Sequence, residues 1–179
     1  EDGVPTDAYG LDDAVGDGFL VPPRAISVPL KFQREGIKYA DLSEDDKERW
    51  DALEWDENGP PPQVEPAAVN KWLFNEDTVD KVLAHLMERG LKVQGGDVLG
   101  KTIVFAKNQD HAEFIAERFN AQYPRYKGEF ARAITFKTEY AQHLIDNFSM
   151  KDRFPHIAIS VDMLDTGIDV PEVVNLVFF

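Results

Sequence analysis

The chain has 179 residues, 43% of them apolar, with 33 acids against 19 bases, no cysteine and a formal net charge of −14. That length suits one α/β domain with an extension or insertion. The charge excludes a nucleic-acid-binding surface spread over the whole chain, and no apolar run approaches the roughly 20 residues of a membrane span. Without cysteine there are neither disulfides nor thiolate metal sites, a composition compatible with a reducing cytosol.

The acidity is uneven. Residues 1–68 hold 17 acids and 6 bases, whereas residues 69–179 hold 16 and 13, which leaves room for a local basic patch in the second part. Residues 1–10 are rich in Gly, Pro and Asp and read as a linker. Residues 11–20 form a short helix weakened by Gly16 and Gly18. Residues 24–32 alternate with β-branched positions and predict a strand. Residues 41–57 carry nine acids and two bases around Trp50 and Trp55. Ser43 with Asp46 three residues on predicts a capped acidic helix pinned by its tryptophans, stopped by Gly59-Pro60-Pro61-Pro62.

From Val69 the pattern changes. Val79, Val82, Leu83 and Leu86 fall at helical spacing, so a helix runs to about Arg89 and ends at Gly90. Strands are expected at 102–105, 130–136, 157–161 and 173–179. Helices are expected at 110–119, with Ala112, Ile115, Ala116 and Phe119 on one face, and at 140–148, with Leu144, Ile145 and Phe148 inward. Strands alternating with helices predict a parallel sheet covered on both faces. His85, His111, His143 and His156 have no ligand-like spacing and are expected to be ordinary surface or half-buried residues. The chain begins at Glu1 without Met or signal-like segment and ends on an apolar run, so it is expected to be a piece of a longer polypeptide.

Two motifs weaken on inspection. Residues 95–102, Gly-Gly-Asp-Val-Leu-Gly-Lys-Thr, match the P-loop pattern, but a P-loop follows a strand and opens a helix whose N-terminus holds the phosphates. Here the glycines follow a helix and lead into Ile103-Val104-Phe105, which predicts a turn into an internal strand with Lys101 at its edge. Asp165-Thr166-Gly167 resembles an aspartic protease triplet. That chemistry needs two carboxylates sharing a proton, on an all-β scaffold unlike this alternating pattern.

Residues 157–171 carry more. A buried strand runs into a polar turn with Gly167, then Ile168-Asp169-Val170-Pro171, then a second apolar run. This sets polar groups at the C-terminal end of a parallel strand, where open α/β sheets bind ligands. Gly167 allows close backbone approach and Asp169 suits a ribose hydroxyl. The same residues also suit a plain turn, with Asp162 capping and Gly167 supplying a positive φ.

This stretch resembles motif V of superfamily two helicases, in the form carried by excision-repair helicases and by the motor (restriction) subunits of type I restriction enzymes. Residues 101–108, Lys-Thr-Ile-Val-Phe-Ala-Lys-Asn, resemble motif IV, which opens the second RecA-like domain. Residues 17–22, 31–39 and 70–75 resemble the type I motor subunit in particular. The resemblance covers nearly the whole chain. It implies an α/β, RecA-like parallel sheet with helices on both faces and an acidic helical insertion. Residues 1–10 would link from the first motor domain, 11–32 would start the second, 33–68 would be the insertion, and 69–179 would be the RecA-like domain, stopping before its final motif.

In such motors two RecA-like domains sandwich ATP while DNA runs across both. The resemblance therefore implies Gly167 and Asp169 on the nucleotide face. It sets Lys107, Asn108, Ser160, Asp162 and Thr166 toward DNA or the partner domain. Many superfamily members have Thr at the position of Val161 and Arg at that of Thr166, which counts against direct phosphate contact there. Ser160 can compensate only if strand alternation does not bury it. Lys107 is equally readable as a solvated surface lysine. ATP and Mg²⁺ would serve the full-length protein, none being expected on this chain alone. The partners would be double-stranded DNA and the methylase and specificity subunits, in a bacterial or archaeal cytoplasm, with no membrane contact. The residues leave two further readings, the second motor domain of another superfamily two DNA helicase such as an excision-repair helicase, and a protein-interaction module using its acidic segment.

Overall fold

Apolar spacing sets the order of elements. In the computed structural model, which describes residues 9–28, 36–52, 59–65, 76–161, 164 and 170–179, helix α1 spans Leu11–Gly16. It stops where Gly18 takes φ +80 and lets the amides of Phe19 and Leu20 turn back onto the Ala14 carbonyl. The strand expected at 24–32 is corrected over its described part. Residues 24–28 are in no strand, and Arg24 to Ser27 are exposed. Alternation alone supplies no ladder partner, and proline lacks the N–H that a ladder needs at Pro22 and Pro23. Residues 29–32 lie outside the described set.

The acidic region builds a small core of its own. Strand β1 (Ile37–Lys38) pairs antiparallel with β2 (Gln63–Val64), and helix α2 (Glu44–Asp51) lies between them in sequence. Ser43 Oγ accepts the Asp46 N–H at 3.2 Å, the cap its spacing predicts. Ile37, Leu42, Trp50 and Val64 are buried together, with Trp50 fully enclosed and Tyr39 packed edge-on against it. Trp50 thus pins the helix as expected, while Glu44, Asp45, Glu48 and Asp51 stay exposed. Trp55 falls outside the described residues.

Helix α3 (Glu76–Arg89) buries Val79, Val82, Leu83 and Leu86, the positions its period singled out. A small hairpin follows, β3 (Lys92–Val93) with β4 (Val98–Leu99). The main sheet holds β5 (Lys101–Phe105), β6 (Ala131–Ile134), β7 (Ile157–Ser160) and β8 (Val173–Phe178) in the order β6-β7-β5-β8, every pair parallel. Helix α4 (Gln109–Gln122) joins β5 to β6, and α5 (Ala141–Phe148) joins β6 to β7. The fold is therefore the α/β, RecA-like parallel sheet expected.

Strand alternation sorts the core into two layers. Val104, Ala131, Ile157 and Ile159 meet Val79, Leu83 and Leu86 of α3 and Ala112, Ile115 and Phe119 of α4. On the opposite face Ile103, Ile134 and Ala158 meet Phe148 of α5 and Leu164, with Leu144 and Ile145 packed alongside. Arg118 of α4 fastens α4 to α3. Its Nε donates to Asp80 Oδ1 at 2.8 Å, a second nitrogen pairs with the other Asp80 oxygen, and its third lies 3.0 Å from Glu76. The Asp80 hydrogen bonds, more than the nearby Glu76 and Asp46 charges, hold the Arg118 guanidinium above its ordinary range.

Strand β6 is shorter than the expected 130–136. The Thr138 hydroxyl accepts the Thr135 N–H at 2.9 Å, and this ends the ladder at Ile134. Two histidines depart from the surface or half-buried role. His111 is fully buried and His156 nearly so. Among the described residues no helix is long and apolar enough to cross a membrane.

Candidate functional site

The two core layers locate the ligand edge. Chain leaving β5 turns into α4 on one face, whereas chain leaving β7 contributes Leu164 and Val170 to the other. Strands β5 and β7 are neighbours, so their outgoing connections part at their C-terminal ends. Such a parting opens the crevice in which doubly wound sheets bind ligands. The Ala106 N–H donates to the Ser160 carbonyl at 2.9 Å and ties the two strand ends together.

Lys107 and Asn108 form the β5 side of this edge, and both are exposed. Asn108 Oδ1 accepts the His111 N–H at 2.9 Å and so caps α4. The Lys107 N–H donates to His111 Nδ1 at 3.2 Å. That bond sets Nδ1 as the acceptor and leaves the ring proton of a neutral His111 on Nε2. The buried ring also meets Phe179 edge-on at 5.2 Å. The turn bearing the Lys107 side chain is thus held at its backbone from beneath.

On the β7 side Ser160 is fully buried, and its Oγ accepts the Leu164 N–H at 3.2 Å. Alternation points it to the α5 face, so its hydroxyl shapes the turn after β7 and meets no solvent. Asp162, Thr166, Gly167 and Asp169 lie outside the described residues, as does the Asp165-Thr166-Gly167 triplet. Of the seven singled-out residues, Lys107, Asn108 and Ser160 therefore have described positions, all at the end of β5 or β7. The neighbouring turn went unnoticed in the sequence. Thr138 Oγ1 accepts from Thr135 N and reaches the Ala133 carbonyl at 3.2 Å, latching a loop that exposes Phe136 and Tyr140. Its signal was the Thr-x-x-Thr spacing, a turn-forming pattern.

The P-loop look-alike serves the sheet. Lys101 opens β5 and is buried, and its Nζ donates to the Arg153 carbonyl and, at 2.8 Å, to the Pro155 carbonyl. Burial lowers its pKa to about 8, against the opposing pull of Glu172 and Asp152. Thr102 Oγ1 donates to the Gly100 carbonyl at 2.9 Å. At Gly100 a Cβ would lie 2.3 Å from Val174 Cγ2. Gly100 is thus spent on close packing, and Lys101 and Thr102 on hydrogen bonds to backbone carbonyls, at the N-terminal end of β5. Nearby, His156 stacks on Phe130 and its Nδ1 lies 3.0 Å from the Leu99 carbonyl. Burial pushes its pKa down, with the Lys101 charge adding to that and the Leu99 carbonyl opposing it.

Fold and edge together define a RecA-like parallel α/β unit in which the adjacent strands β5 and β7 send their outgoing connections to opposite faces. No family model matches the chain. It is similar over 98% of its length, at 28% identity, to the type I restriction enzyme EcoKI endonuclease subunit of Escherichia coli strain K12. It is also similar over 93% of its length, at 22% identity, to the type I restriction enzyme EcoAI endonuclease subunit of Escherichia coli. The chain spans 16% and 20% of the length of these relatives. The resemblance to type I restriction subunits seen in residues 17–22, 31–39 and 70–75 thus extends along nearly the whole chain.

Proposed function

We propose that the chain is the second RecA-like domain of the ATP-dependent, DNA-translocating subunit of a type I restriction enzyme. One observation carries this reading. The segments resembling motifs IV and V leave adjacent strands, β5 and β7, at the same end of the sheet and toward opposite faces. A motor domain needs that arrangement, because one crevice must sense nucleotide and track along DNA together. The near full-length similarity to two type I endonuclease subunits supports the narrower family.

In this reading Gly167 and Asp169 face the nucleotide held between the two motor domains. Lys107, Asn108, Asp162 and Thr166 face DNA or the first domain, and Ser160 holds the turn between them. ATP and Mg²⁺ are bound mainly by the first domain, which carries the P-loop. Nucleotide supplies the closing force, and the residues of this chain orient and sense it. The partners are double-stranded DNA and the methylase and specificity subunits of the complex, in a prokaryotic cytoplasm. Residues 1–10 link from the first domain, and residues 33–68 are an insertion.

Steady-state ATP hydrolysis by the full-length polypeptide, with and without duplex DNA, tests this. The expected result is DNA-stimulated hydrolysis that falls by at least about tenfold in Asp169→Ala, the range of one lost hydrogen bond to a charged group. The isolated chain is expected to hydrolyse no ATP. Hydrolysis indifferent to DNA, or untouched in Asp169→Ala, overturns the assignment of motif V.

A further inference from the structure

Position 111 lies one helical turn before Ile115 on α4, and both residues are fully buried. Packing alone is satisfied at such a position by an aliphatic side chain. An imidazole at the same depth gives up the hydration of its ring nitrogens, a loss that hydrogen bonds have to offset. Nδ1 makes one of these bonds, and its donor is the backbone of Lys107, the exposed cation that follows β5.

The ring fixes this turn against more than its own helix. Asn108 Oδ1 accepts the His111 N–H at 2.9 Å while His111 Nδ1 accepts the Lys107 N–H at 3.2 Å, so residues 107, 108 and 111 are stapled in both directions. One residue earlier the Ser160 carbonyl of β7 accepts the Ala106 N–H. The imidazole meets Phe179, the residue after β8, edge-on at 5.2 Å. The backbone that carries the Lys107 side chain is thereby registered to β7 and to the end of β8, the two neighbours of β5. A helix cap needs only the Asn108 bond. The second bond reaches a residue outside the helix and sets the direction in which the Lys107 side chain leaves the sheet.

We infer that His111 is a positioning residue for a DNA contact made by Lys107. It touches no DNA itself, and it holds the turn in the orientation that presents the ammonium to a duplex phosphate. This rests on the motor reading above, in which Lys107 faces DNA.

The test is a double-mutant cycle on the full-length polypeptide, read as binding of a fluorescent duplex over a salt series. Phenylalanine keeps a ring beside Phe179 and removes the acceptor; His111→Leu serves the same purpose if the larger ring prevents folding. Asparagine keeps an acceptor near the place of Nδ1 and loses the ring. Lys107→Ala is expected to weaken binding roughly threefold or more and to lower the slope of log affinity against log salt by about one. His111→Phe should reproduce most of that loss, His111→Asn should recover part of it, and adding His111→Phe to Lys107→Ala should cost nothing more. Additive losses in the double variant mean that His111 acts elsewhere and overturn the inference. So does a greater loss in His111→Asn than in His111→Phe, the order expected of a residue that only fills the core. Wild-type binding by Lys107→Ala overturns it as well. Where wild type shows DNA-stimulated hydrolysis, a failed cycle removes the positioning role and leaves the motor standing. Where it shows none, the motor reading fails and the inference falls with it.

Discussion

Lys101 shows how far context changes a residue. In sequence it completes a phosphate-binding pattern; in the fold it is buried beneath carbonyls supplied by Arg153 and Pro155. A neutral amine has two N–H groups, matching these two acceptors, so loss of its proton is tolerated. Its native pKa is about 8, against an ordinary 10.5. Between those values the unfolded chain keeps the proton and the native chain releases it, so stability rises with pH across that window. Urea unfolding at a series of pH values should show wild type gaining on Lys101→Met from about pH 8 toward 10. A difference independent of pH would contradict the burial. Gly100 belongs to the same story. Gly100→Ala forces a Cβ to 2.3 Å from Val174 Cγ2 and 3.2 Å from the Leu91 carbonyl, and should cost about 1–3 kcal/mol in the same assay. A neutral Gly100→Ala would return the glycine to the list of phosphate-loop candidates.

At the scale of elements, the N-terminus of α4 both builds the fold and positions the edge. Asn108→Ala removes the cap on the His111 N–H and should lower stability by about 1 kcal/mol, with Asn108→Asp keeping most of it. A thermal melt reads this directly, and an unchanged midpoint would mean the cap is not formed. Elements with a full period were legible in the sequence. Helix α3 buries the positions its spacing named, α4 buries Ala112, Ile115 and Phe119 with Ala116 half-buried, and α5 buries Phe148 with Leu144 and Ile145 half-buried beside it, because several turns of periodic apolar residues leave few other solutions. Strands β1 to β4 were not, since two residues carry no period. Residues 24–28 alternate as strands do yet form no strand, because a ladder needs a partner that local pattern does not specify. At the site, the burial of Ser160 was readable from alternation. The burial of Lys101 was not, as its acceptors come from more than fifty residues away.

For the whole molecule, the uneven charge acquires a physical meaning. Glu44, Asp45, Asp46, Glu48 and Asp51 ride on a helix with its own core around Trp50, so this share of the acidity is carried by a folded unit. Asp46 of that helix acts electrostatically on Arg118, the residue that joins α3 to α4. Replacing Arg118 with Met should therefore loosen α3 from α4, with a loss of about 1–3 kcal/mol on unfolding. A loss below that range would mean that the Asp80 and Glu76 contacts are worth no more than exposed pairs. The sheet and its switch between faces were predictable from the alternation of strands and helices. The crevice between β5 and β7 needed the strand order, which no local pattern encodes.

The central claim is that this chain is half of a DNA-translocating motor, and directional movement on DNA tests it most directly. The full-length polypeptide, assembled with its methylase and specificity subunits, should displace a triplex-forming strand from duplex DNA in an ATP-dependent reaction. The lag should lengthen with the distance between the recognition site and the triplex. Asp169→Ala should abolish displacement while leaving DNA binding intact. Displacement without ATP, a lag that ignores distance, or an unimpaired Asp169→Ala enzyme would contradict the claim.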